Sequence, residues 1–331
     1  MIAVSAVGTD AAIIMRRMKA FVLATLLAAG EVYAQYPVRP IRLVVGFTAG
    51  GATDLSARVV AQKLSEQLGQ QVVVDNRPGT SSNLASDIVA KSTGDGHTLL
   101  LSNATVAMPS LFAKLPFDVQ RDLTPVSLAG YGPMALVTLP AFPAKNLKEL
   151  LALAGAKPEA LSYGSAGVGS FLHLAHSLIE HMSKTKFLHV PYKGGSQTVV
   201  AVLTGEVSVA FSSVAAALPH AQQGRLRVIG VSSIKRSVAL PDTPTLSEGG
   251  LTGYDANSWY AMFAPAAAPR PVVNTLGVQM TKALALNEVK SRLLSQGVEP
   301  AAGGVEEFSI YLKAEIPKWA ALIKAASIPP Q

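Results

Sequence analysis

From Ile41 onward, short apolar runs alternate with stretches in which apolar residues recur every three or four positions, the pattern of strands feeding amphipathic helices. Ile41–Gly46 reads as a buried strand, and Ala57, Val60, Ala61, Leu64 and Leu68 mark a helix that Gly69 stops. Val72–Val74 is a second strand, 84–91 a helix, and Thr98–Leu101 a third strand entered through the Asp95-Gly96 turn. Strand, helix, strand, helix with short links predicts the start of a doubly wound sheet. Two apolar stretches, Val126–Ala129 and Met134–Leu139, flank Gly130-Tyr131-Gly132-Pro133 and read as a crossing into a second α/β unit. That unit has strands at 161–163, 187–190, 207–211 and 227–232, and helices at 170–183, 196–203 and 214–223. A Pro/Gly/Thr-rich stretch from Pro241 to Gly253 then leads to Ser258–Phe263, predicted to return to the first unit, which the C-terminal helices complete. Pro317 is expected to kink or restart the last helix, because proline lacks the N–H and crowds the preceding turn.

The fold class is therefore α/β: two α/β domains joined by a two-strand hinge. The expected boundaries are 35–133 for the first part of domain 1, 134–256 for domain 2 and 257–331 for the remainder of domain 1. Ahead of them, Arg16, Arg17 and Lys19 precede the apolar run Ala20–Ala29, and Val32-Tyr33-Ala34 offers a small-residue cleavage site. That is the layout of a signal peptide over 1–34, which places the mature chain in the periplasm with Gln35 first. The apolar run is too short to span a bilayer.

Composition narrows the chemistry. The chain has no cysteine, which removes disulfides, thiolate metal sites and a thiol nucleophile together. Its net charge of +7 comes from Lys and Arg scattered along the chain, the longest run being Arg16-Arg17-Met18-Lys19 of the leader, so nucleic acid is not an expected partner, whereas an anionic ligand is. No metal site and no cofactor are expected. His173, His176 and Glu180 share one helix face, but H-E-x-x-H is absent, and the face is expected to be solvated. No G-x-S-x-G elbow occurs and Ser165 has no base nearby in sequence, so no enzymatic activity is expected.

Two glycine-rich loops stand where a strand hands over to a helix: Gly46-Phe47-Thr48-Ala49-Gly50-Gly51-Ala52-Thr53-Asp54 and Gly164-Ser165-Ala166-Gly167-Val168-Gly169-Ser170. Both have the G-x4-G spacing of a phosphate loop, and both lack its lysine, which argues against nucleotide binding. Small residues still let main-chain N–H groups point at an anion, with the partial positive charge of a helix end behind them. Asp54 is read as a capping acid of the first turn, beside the candidate Thr53. Ser102 and Asn103 end the Thr98–Leu101 strand at the edge where open α/β sheets bind ligands, or else form a local turn.

Several blocks carry a resemblance: the leader, Gly46–Asp54, Asn76-Arg77-Pro78-Gly79, Asp95–Leu100, Tyr163–Ser170, His189–Gly195, Leu218-Pro219-His220, Gly224–Arg227, Leu240–Thr245 and Trp259. Over essentially the whole mature chain the sequence resembles the Bug family of periplasmic solute-binding proteins, receptors of tripartite tricarboxylate transporters. The resemblance implies a type II periplasmic-binding-protein fold and a small carboxylate ligand. It implies that Phe47, Thr48, Ala49, Gly50 and Gly51, with Ser165, Ala166 and Gly167, hold the carboxylate oxygens. It also implies transporter membrane subunits as partners of a monomeric receptor; a sensor subunit signalling to a histidine kinase would use the same closure. Three departures stand out. Gly46 replaces a usual proline, Thr80-Ser81-Ser82 replaces Ala-Gly-Gly, and Ser208 and Ser212 replace usual acids. Ser212 thus offers a hydroxyl where an acid could meet a ligand ammonium, which predicts a dicarboxylate or aromatic acid without one.

Overall fold

The computed structural model describes residues 36–192 and 195–330. The leader and its cleavage site lie outside the described residues. Strand β1 (Ile41–Val45) leads into helix α1 (Ala52–Leu68), then β2 (Val72–Asn76), α2 (Asn83–Ala90), β3 (Thr98–Asn103) and β4 (Leu123–Gly132). The chain continues through β5 (Met134–Thr138), α3 (Leu147–Ala156), β6 (Ser162–Ser165), α4 (Phe171–Ser183), β7 (Leu188–Pro191), α5 (Gly195–Leu203), β8 (Val209–Ser213), α6 (Val214–Gln222) and β9 (Arg227–Val231). It closes with β10 (Ser258–Pro265), α7 (Arg270–Ala285), α8 (Asn287–Ser295), β11 (Glu299–Gly303) and α9 (Val305–Ala325).

These strands make two sheets, ordered β11-β4-β10-β3-β1-β2 and β7-β6-β8-β5-β9. Strand β1 is parallel to both β2 and β3, and its Ile41, Leu43, Val44 and Val45 are wholly buried. Helices cover both faces of such a sheet, which is why β1 is apolar at every position but Arg42. Helix α1 stops at Gly69, whose left-handed φ of 67° turns its N–H onto the Ser65 carbonyl.

The chain passes between the sheets twice, at Gly132–Met134 and again before Ser258. Ser232 ties both passages together. Its hydroxyl accepts the Met134 N–H at 2.9 Å, its own N–H donates to the Met134 carbonyl at 2.8 Å, and its carbonyl accepts the Ala256 N–H at 3.0 Å. An aromatic core spans the two sheets: Trp259 and Phe263 of β10 pack on Phe308 of α9, while Trp319 of α9 meets Phe171 of α4 edge-on at 5.5 Å.

Three sequence expectations are corrected in whole or in part. The C-terminal segment contributes a strand as well as helices, because Glu299–Gly303 pairs with β4 across an irregular register. Helix α9 runs on through Pro317 without restarting. Pro317 and Lys313, whose carbonyl loses its donor, both lie on the exposed face, where water can take that bond. The third correction concerns the histidine face of α4. His176 is wholly buried, stacked on Tyr163 with ring centres 3.7 Å apart, and His173 and Glu180 are half-buried.

Candidate functional site

The first loop leaves β1 at its carboxyl end. Gly46 is buried because Ser82 lies against it: a Cβ there would sit 2.0 Å from the Ser82 hydroxyl oxygen and 2.6 Å from the Ser82 Cα. Phe47 is half-buried against the core beneath α1, and Thr48, Ala49, Gly50 and Gly51 are exposed. Gly51 is the N-cap of α1 and brings no side-chain cap, so no side chain of the cap position competes for the first-turn N–H groups. A helix of 17 residues places a partial positive charge at this end. Gly46→Ala should destabilise the protein by about 1–3 kcal/mol through overpacking. Adding Ser82→Gly should restore only part of the loss, since the Ser82 main chain also blocks the space; urea unfolding of the single and double variants checks both.

Asp54 takes the capping role the sequence suggested. Its carboxylate is buried and accepts the Gly50 N–H at 2.9 Å, pairs with Arg58 at 3.0 Å and accepts the Asn76 amide at 2.9 Å. Burial pushes the Asp54 carboxyl up, but the bonds from Arg58, Gly50 and Asn76 outweigh it and hold it below the usual range. Asn76 also donates to the Phe47 carbonyl at 3.0 Å, so the end of β2 fixes both ends of the loop. Asn76 was quoted in the sequence only as part of a motif; its place at the carboxyl end of a strand beside β1 was the available signal.

Thr53 is buried in the first turn of α1. Ser102 and Asn103 lie at the carboxyl end of β3, on the same sheet edge as the loop, since β1 and β3 are parallel. Ser102 is wholly buried and its hydroxyl meets that of Ser82 at 2.9 Å. The Asn103 side-chain oxygen accepts the N–H and hydroxyl of Thr105, an Asx turn.

The second loop is built differently. Ser165 is wholly buried beneath it; its hydroxyl donates to the Gly167 carbonyl and accepts the Gly167 N–H, both at 3.1 Å. The same oxygen lies 2.6 Å from His189 Nε2. The Gly169 N–H donates to His173 Nδ1 at 3.1 Å, and Ser170 caps α4 by accepting the His173 N–H. Ala166 and Gly167 are left partly exposed. Ser212, at the carboxyl end of β8, is buried on this same edge because β6 and β8 are parallel. Ser208 precedes β8 and bonds across to Ser162 at the opposite end, away from the loop.

His173, His189, Tyr163 and His176 form a run of nearly parallel rings under the loop. Burial, then the neighbouring His189, lowers His173 to about 4. Burial, then His173 and His189, lowers His176 to about 3, and burial lowers His189. All three are therefore neutral imidazoles near pH 7. The structure does bring Ser165 a base that sequence proximity did not reveal: His189 lies on the adjacent strand, in register with Tyr163. A buried hydroxyl already shared with Gly167 makes this pair a brace of the loop.

Among the described residues no group of three or more His, Asp or Glu could hold a metal ion, and no helix is long and apolar enough to cross a membrane. Two surface hollows lie away from both loops. One of about 200 Å³ lies by Pro109, Phe112 and Ile316, and one of about 480 Å³ by Val199, Leu203 and Arg225.

Residues 56–328 match the model of the tripartite tricarboxylate transporter family receptor. The chain belongs to this receptor family. Three solved structures resemble the receptor along most of its length. An R. palustris protein solved with adipate is 32% identical, covers 89% of this chain and 100% of its own, and has a TM-score of 0.81. The periplasmic binding protein BugD is 30% identical, with 89% and 100% covered and a TM-score of 0.79. MatC from Rhodopseudomonas palustris, solved with bound malate, is 29% identical, with 87% and 100% covered and a TM-score of 0.76. The receptor thus has the periplasmic-binding-protein fold and belongs with the Bug proteins, a family of solute receptors and not of enzymes.

Proposed function

We propose that this receptor is exported to the periplasm and binds a small organic acid without an ammonium group, a simple dicarboxylate or an aromatic acid. The ligand is held between the loops at 46–54 and 164–170 and passed to the membrane subunits of a tripartite tricarboxylate-type transporter. The observation that carries this reading is the exposed backbone of Thr48–Gly51 at the start of α1, where the cap position brings no side chain although Asp54 takes the Gly50 N–H, on one sheet edge with Ser102 and Asn103. Amide groups there favour an anion without an arginine clamp, by roughly 0.3–1 kcal/mol when exposed and up to about 2 when partly buried. Ala166 supplies an opposing amide on the second loop, whose Gly167 N–H is held by Ser165, with Ser212 on the same sheet edge. Relatives holding adipate and malate support the ligand class. Residues 35–133 with 257–331 form one moving lobe and 134–256 the other, hinged at the two passages that Ser232 joins.

The absence of charge at Ser212 sets the finer preference. An acid there would attract an ammonium; a hydroxyl hydrogen-bonds without selecting for one. Isothermal titration of the protein lacking 1–34 with adipate, malate, benzoate, aspartate and glutamate tests this. At least one amine-free acid is expected to bind at least tenfold more tightly than either amino acid. Tight binding of aspartate or glutamate, with no heat from the amine-free acids, overturns the reading.

A further inference from the structure

Ser81 and Ser82 are consecutive residues in the left-handed region, with φ of 53° and 76°, a conformation that L side chains rarely adopt and that glycine would occupy freely. Ser82 is also the N-cap of α2, yet its hydroxyl makes no capping bond to that helix. Serine at an N-cap ordinarily accepts a first-turn N–H, and that bond is given up here. The hydroxyl instead reaches Ser102 at 2.9 Å and fills the space beside Gly46 that any side chain at 46 would need. Around it the turn is held from outside: Thr105 donates to the Ser81 carbonyl at 3.1 Å and Ser86 to the Ser82 carbonyl at 3.0 Å. The adjacent Asn83, itself buried, keeps an amide nitrogen with no acceptor. Strain and a forgone cap persist only where the surroundings over-determine them, and such places cluster at ligand sites.

We propose that Ser82 is a positioning residue of the carboxylate site. Its hydroxyl fixes Ser102 and the backbone at Gly46–Phe47, and through them sets the direction of the loop amides that follow. This rests on the carboxylate reading for its ligand, but the positioning itself concerns the loop backbone and can be measured without one.

Ser82→Gly and Ser82→Ala remove the same hydroxyl, while only the glycine relieves the left-handed strain, so the glycine variant should be the more stable of the two. If Ser82 only supported the fold, affinity would follow stability. The positioning role predicts instead that both variants lose affinity for adipate or malate by a similar factor, about tenfold, the worth of one well-placed hydrogen bond. Ser82→Ala combined with Ser102→Ala should bind no more weakly than either single variant, since the two hydroxyls act as one unit. Without ligand, hydrogen exchange at the amides of 47–51 should quicken in both Ser82 variants, with no matching change in strand β1. Unchanged exchange in that loop, or affinity that follows stability, overturns the proposal. Quickened exchange in a protein whose wild-type form binds none of the acids would uphold the positioning role and sink the carboxylate reading alone.

Discussion

Replacing Glu315 by leucine should destabilise the protein by about 3–5 kcal/mol, the range for breaking a buried charged contact by removing one partner. Glu315 lies on α9 and is only 4% exposed. One of its carboxylate oxygens accepts the indole N–H of Trp259 at 3.0 Å and that of Trp319 at 2.8 Å; the other pairs with Lys318 at 2.9 Å. Both indoles are buried, so leucine would strand two N–H donors, each costing roughly 1–3 kcal/mol unpaired. Lys318, partly exposed, loses less and still has Asp255 at 3.7 Å. Glutamine keeps an oxygen for the indoles and should cost well under half as much. These are the chain's two tryptophans, so their emission during urea unfolding reports on the network itself. A leucine variant within about 1 kcal/mol of wild type would show that the carboxylate does not hold the indoles.

Acidification from pH 7 to pH 5 should destabilise the protein through the histidines under the second loop. In the unfolded chain a histidine titrates near 6.5. His176 is lowered to about 3 and His173 to about 4 in the folded state, both first by burial. Between these values and 6.5 the unfolded state binds more protons, so stability falls as pH falls, and it is fully restored above 6.5. For the wholly buried His176 the slope is at most about 1.4 kcal/mol per pH unit, or up to about 2 kcal/mol lost by pH 5. His173 acts in the same direction. Glu180 opposes them, because burial raises its carboxyl and the folded state then gains a proton first on acidification. His176→Phe should preserve the stacking on Tyr163 and remove its share of the pH dependence at little cost at pH 7, since both ring nitrogens of His176 lack partners. Urea midpoints of both proteins at pH 7 and pH 5 check this; equal losses in the two would contradict it.

The alternation of apolar runs and periodic helices marked ten of the eleven strands among the described residues, β4 and β5 as the apolar stretches of the crossing, because most of these strands are buried apolar runs bounded by glycine or polar turns. Strand β11 escaped because Glu-Pro-Ala-Ala-Gly has no strand character of its own and is recruited by the edge of β4. The burial of His176 escaped for a similar reason. Periodicity divides a helix into faces, but only the tertiary fold brings Tyr163, Phe187 and Phe211 around that ring. Ser165 and His189 are 24 residues apart and meet only because β6 and β7 are neighbours. Both glycine loops were legible, since strand-to-helix turns demand those residues. What each loop's side chains do was not: Ser165 turns inward, Asn76 ties the first loop, and the departures at 46 and 82 are one contact.

If main-chain amides of the two loops enclose a carboxylate, a crystal structure of the protein with its tightest-binding acid will show the contacts. Carboxylate oxygens are expected within hydrogen-bond distance of the N–H groups of Thr48, Ala49 or Gly51 on one side and of Ala166 on the other, since Asp54 and Ser165 already take those of Gly50 and Gly167. An acid found instead in the hollow beside Val199 and Arg225, or contacting one loop alone, would contradict it.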